Sequence, residues 1–86
     1  MVEVVKFYPF ELPGRRGLVG YADVKVGDIL IRGIKLLRNR YGGYYVQMPS
    51  LQASDRAYPV VEVTSRDLLE EIRRKVLDLY RERFKI

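Results

Sequence analysis

The chain contains no histidine and no cysteine. That removes the commonest general base, the His-dependent triads, His-ligated zinc or iron centres, disulfides and thiolate metal sites. Carboxylates, lysines, tyrosines and the hydroxyls of Ser50, Ser54, Thr64 and Ser65 remain. None of them stands in a nucleophile elbow, a phosphate-cradling glycine loop or a metal-ligand spacing. The expectation is a protein that is not an enzyme and carries neither cofactor nor metal. Arginine is the abundant reactive group, with 11 of the 16 basic residues. Its planar fork suits bidentate contact with phosphate. The same bias, with Asn39 as the single asparagine, equally suits a thermophilic source.

The net charge of +5 and pI near 9.7 favour an anionic partner. The excess is central: residues 32–56 hold Arg32, Lys35, Arg38, Arg40 and Arg56 against Asp55 alone. Further along, Arg66, Arg73 and Arg74 add cations beside acids of the same segment. Arg38, Arg40, Arg56, Arg66, Arg73 and Arg74 are therefore the candidate phosphate contacts. The competing readings are a charge-guarded sheet edge for residues 32–40, and a solvated helix face for residues 73–75, whose neighbouring acids already compensate them.

Two short motifs are similar to known nucleic-acid elements. Gly14-Arg15-Arg16-Gly17 is similar to the GXXG loop of KH domains, but that loop joins helices and the flanks here read as strands, so a hairpin tip with solvated arginines is expected. Gly42 to Met48 is similar to the aromatic sheet motif of RRM domains, yet Tyr44 stands where the motif takes a small residue and only one helix is available. The aromatics Phe7, Tyr44 and Tyr80 read as packing, and Tyr41, between Arg40 and two glycines, as the best exposed stacking candidate.

The elements that must position these residues follow from periodicity. Val2 to Tyr8 is β-branched and aromatic and stops at Pro9. Leu18 to Val26 alternates, with Leu18, Gly20, Ala22, Val24 and Val26 on one face. Gly27-Asp28 turns the chain into a longer strand from Ile29 to Leu37, in which Gly33 marks a bulge or a close approach. Tyr44 to Met48 forms a fourth strand. Residues 50–58 read as an exposed loop, and Val60 to Val63 as a short fifth strand. Thr64, with Asp67 three residues on, starts a helix. Its stripe of Leu68, Leu69, Ile72, Val76, Leu79, Tyr80 and Phe84 faces a sheet, while Glu70 with Arg74 and Glu71 with Lys75 pair outside. Eighty-six residues fit one domain spanning 1–86. The fold class is α+β: an antiparallel sheet of four to five strands followed by one C-terminal helix. So small a core, with no disulfide or metal to help, points to oligomerisation as the source of extra core. No apolar run is long enough for a membrane span and no signal layout opens the chain, so a cytoplasmic protein without membrane association is expected.

Val46-Gln47-Met48-Pro49-Ser50, followed by Ala57-Tyr58-Pro59-Val60 and the helix, resembles the stage V sporulation protein G family of small bacterial septation regulators. The likeness extends to Gly33-Ile34-Lys35-Leu36 and Gly42-Gly43-Tyr44-Tyr45-Val46 and covers residues 1–83. It implies a homodimer of antiparallel sheet plus helix that binds DNA and RNA. Family members follow Met-Pro-Ser with basic residues, where this chain has Leu51-Gln52, and Tyr58 stands where histidine is common. Arg56 is the remaining cation in that loop, with Arg38, Arg40, Arg66, Arg73 and Arg74 available to compensate. The acidic tail of many relatives does not follow Ile86, so autoinhibition by such a tail is not expected. The alternative to a nucleic-acid-binding regulator is a protein–protein interaction module of the division machinery.

Overall fold

Alternating apolar residues with β-branched or aromatic neighbours give four strands, each too short to bury its own apolar side and each turning back on the last. The computed structural model describes residues 1–10 and 17–84. Strands β1 (Val2–Pro9), β2 (Leu18–Val26), β3 (Ile29–Arg38) and β4 (Tyr44–Gln47) form one antiparallel sheet in sequence order. Helix α1 (Arg66–Phe84) lies across one face of that sheet. The α+β architecture expected from the sequence is thus the one observed. Residues 14–16 of the Gly-Arg-Arg-Gly unit lie outside the described residues.

The core sits between sheet and helix. Ala22, Val24, Ile34, Leu36, Ile72 and Val76 are wholly buried, with Val2, Phe7 and Ile31 at their margin. The expected inward face of β2 is confirmed in Gly20, Ala22 and Val24. Gly20 is required there for space: a Cβ would stand 2.6 Å from both the Phe7 ring and the Tyr8 carbonyl. The helix stripe also holds, with Leu77 buried in addition.

Gly33 is a bulge. Ala22 pairs with Ile34 and Val24 with Ile31, so Asp23 alone faces Arg32 and Gly33. Gly33 takes φ +82, and its amide donates to Asp23 Oδ1 at 3.1 Å. The extra residue changes the parity of β3, which is why Ile31 joins the core beneath the helix before the bulge while Ile34 and Leu36 do so after it.

Four expectations need correction. Residues 50–58 are not a loop: β5 (Ser50–Ala53) and β6 (Arg56–Pro59) pair as a separate two-stranded ribbon, every residue of it exposed. Its two-residue turn puts Ser54 at φ 55. Val60 to Val63 is not a strand, because the ribbon has carried the chain away from the sheet edge. Those residues return toward the body as irregular chain in which Val61 and Val63 pack on the core. The helix is capped by Ser65 rather than Thr64, its hydroxyl accepting from the Leu68 amide at 3.2 Å. Finally, the ion pair on the helix is Glu70 with Arg73 at 2.6 Å, not Glu70 with Arg74 or Glu71 with Lys75. Arg73 faces the sheet edge, where its stem is half-buried, whereas Arg74 points to solvent.

Candidate nucleic-acid interface

The end of β3, the turn after it and β4 place the central cations. Asn39 organises the turn. Its side-chain oxygen accepts from the amides of Tyr41 and Gly43, each at 2.9 Å, while its own amide donates to the Gly43 carbonyl at 2.8 Å. An asparagine that satisfies the turn amides leaves the intervening side chains outside, so Arg40 and Tyr41 form the exposed tip. Tyr41 is 87% exposed, as expected of a surface aromatic. Arg38 stands at the base of the turn, opposite Tyr44 in the β3–β4 register.

Tyr44 is the meeting point. Arg38 approaches its ring with the guanidinium carbon 5.9 Å from the centroid, and Arg81 of the helix does so at 5.7 Å. Both lie within cation–π range. Arg73 donates to the Tyr44 carbonyl at 3.4 Å while holding Glu70. Behind the arginines Tyr44 packs on Tyr80, with centroids 6.1 Å apart, and Tyr80 packs on Phe7 and Phe84 at 5.8 and 5.3 Å. This confirms Phe7, Tyr44 and Tyr80 as packing residues. Burial raises the Tyr80 hydroxyl above its ordinary value, the neighbouring Tyr44 adds to this, and Arg38 opposes it.

Helical spacing supplies the rest. Arg66, Arg73 and Arg81 stand seven and eight residues apart and so fall on one side of α1, the side next to β4. Arg66 and Arg73 line a shallow hollow with Tyr45, Val46, Leu69 and Glu70. Of the six expected contacts, Arg38 and Arg73 meet at Tyr44, Arg66 extends the row along the helix, and Arg40 flanks it at the turn tip. Arg74 lies on the outer surface of the helix, one residue beyond the row. Arg56 is not brought to this edge; it is on the detached ribbon beside Asp55. Arg81 was missed by sequence reasoning, although its spacing from Arg73 was the signal that pointed to it.

Among the described residues, Arg38 and Arg81 have no carboxylate within ion-pair distance. Two guanidiniums held over one ring repel each other, and an oxyanion between them would relieve that repulsion while accepting from both forks. Among the described residues no group of acids could hold a metal ion, and no helix is long and apolar enough to cross a membrane. Comparison with family models, curated proteins and solved structures gives no match to this chain.

Proposed function

We propose that this protein is a nucleic-acid-binding regulator, acting as a homodimer through arginine–phosphate contacts, as its resemblance to the stage V sporulation protein G family implies. The observation that carries the reading is the convergence of Arg38 and Arg81, from strand and helix, on the Tyr44 ring with no carboxylate partner. Arg40 and Arg66 continue the cationic edge on either side. Contacts of this kind fix affinity and register and carry no base sequence directly.

The test is fluorescence anisotropy with labelled duplex DNA and RNA over a series of salt concentrations. Counterion release makes log affinity fall linearly with log salt, with a slope of about −0.9 per phosphate neutralised on duplex DNA. Replacing Arg38 and Arg81 together by alanine is expected to weaken binding uniformly across sequences and to flatten that slope by roughly two. An unchanged slope in the double variant would remove these arginines from the interface.

A second reading is favoured by the ribbon. Leu51 and Tyr58 face each other across β5 and β6 and are 63% and 47% exposed, with Val60 at 65% beside them. A two-stranded ribbon is marginal alone in water, so an arm with bare apolar residues suits a protein partner. A second copy would make it part of the dimer, and a different protein would make this chain an interaction module.

A further inference from the structure

The sheet has a second face, turned away from the helix. The β1–β2 and β2–β3 registers pair Tyr8 with Tyr21 and Tyr21 with Lys35, and side chains directly opposite on antiparallel strands share one face about 4.5–5.5 Å apart. The next rows toward the Gly27 turn carry Lys6, Asp23 and Arg32, then Glu3, Lys25 and Leu30. Neither Tyr8 nor Tyr21 belongs to the core cluster or packs against it, and Tyr8 is 41% exposed. These rings are therefore surplus to the packing that holds the fold.

Their orientation is fixed nonetheless. The Tyr8 hydroxyl donates to Asp23 Oδ2 at 3.3 Å, Asp23 is itself locked to the Gly33 bulge, and Phe10 meets the Tyr21 ring edge-on at 6.4 Å. Lys6 holds its ammonium 5.1 Å from the centroid of the Tyr8 ring. The acid at the centre of the face, Asp23, is 7% exposed and committed to these two hydrogen bonds. Four cations thus stand on the face of two oriented rings, and among the described residues the one exposed acid of that face, Glu3, lies opposite Lys25 at the far end from the tyrosines.

From this arrangement we infer that the open sheet face binds a single-stranded polynucleotide, with bases stacking on Tyr8 and Tyr21 and phosphates running along Lys6, Lys25, Arg32 and Lys35. Aromatic platforms bordered by cations serve single strands, because unpaired bases expose their faces and duplex bases do not. A second copy of this chain is the poorer occupant: two such faces would set cation against cation, and lysine is depleted from the cores of protein interfaces. The site is separate from the arginine edge at Tyr44 and does not depend on it.

The experiment titrates labelled oligo(dT) and oligo(U) of equal length, and a duplex control, against wild type, Tyr8→Phe, Tyr8→Leu and Tyr21→Leu. Each leucine variant is expected to lose about fivefold or more in affinity for whichever single strand binds, a larger loss than for the duplex, and Tyr8→Phe is expected to retain it. Lys25→Glu with Arg32→Glu, both at exposed positions, tests the same face without touching a ring and is expected to weaken the single strand as well. Absence of binding to both single strands overturns the inference. So does a Tyr8→Leu affinity equal to wild type, or a Tyr8→Phe loss equal to that of Tyr8→Leu. Duplex binding that falls in the Arg38 and Arg81 double variant, alongside indifference of single strands to the tyrosines, would leave the arginine edge standing and overturn only this site.

Discussion

At the scale of single residues, Tyr80 shows how one group links the core to the cationic edge. It packs between Phe7 and Tyr44, and burial is the main reason its proton is held more tightly than in the unfolded chain. A group whose pKa is raised on folding contributes stability that is complete below its unfolded value, here 10.0, and is lost as pH climbs through the raised folded value. Absorbance titration of tyrosinate should therefore show a late-ionising component that is missing from Tyr80→Phe, and the variant should lose less stability in that alkaline window. If the titration of the variant superimposes on that of wild type, Tyr80 is not the late group. Arg81 is the residue that reading the chain locally left out. It lies 37 positions from Tyr44, and the pairing appears only when stripes seven and eight residues apart are followed along the helix and set beside the strand that α1 crosses.

At the scale of elements, the four strands of the sheet and the helix were legible because each has one buried side, so periodicity records the burial. The ribbon was not, because neither of its sides is buried: Ser50 to Ala53 and Arg56 to Pro59 are exposed throughout, and a segment with no buried face leaves no alternation to read. The expected strand at Val60 to Val63 erred in the opposite direction, since Val61 and Val63 pack on the body without a neighbouring strand to pair with. The cap moved by one residue because Thr64 and Ser65 carry equivalent hydroxyls. The Gly33 bulge was legible as a glycine inside a strand, and its cause is now specific. A Cβ at Gly33 would meet nothing within 4 Å, so the requirement is the positive φ alone. Gly33→Ala is expected to lower stability by about 1–2 kcal/mol, read from urea unfolding with an unchanged m value; an undiminished midpoint would show that the bulge relaxes without the glycine.

At the scale of the whole molecule, charge is divided between two surfaces that the sheet keeps apart. Arg38 follows the parity of Leu36 toward the helix side, whereas Arg32 and Lys35 belong to the open face, so one strand supplies both. The Gly33 bulge divides the basic segment of residues 32–40 in this way, because it shifts the parity of β3 between Arg32 and Lys35. The radius of gyration is 12.9 Å, against about 12 Å for a compact chain of 86 residues, an excess in keeping with an arm that stands off the body. That arm has a consequence for protease sensitivity. Arg56 offers trypsin a cleavage site on a ribbon with little holding it shut, while Lys25 and Lys35 are embedded in a paired sheet and would be cut only after wider opening. Brief digestion followed by mass spectrometry should yield a fragment beginning at Ala57 before any cut at those two lysines, and a reversed order would mean the arm is clamped. Proteolytic timing would thus report whether the arm is engaged: a partner that covers it lengthens the life of the Arg56–Ala57 bond, whatever that partner is, and does so before the partner has been identified.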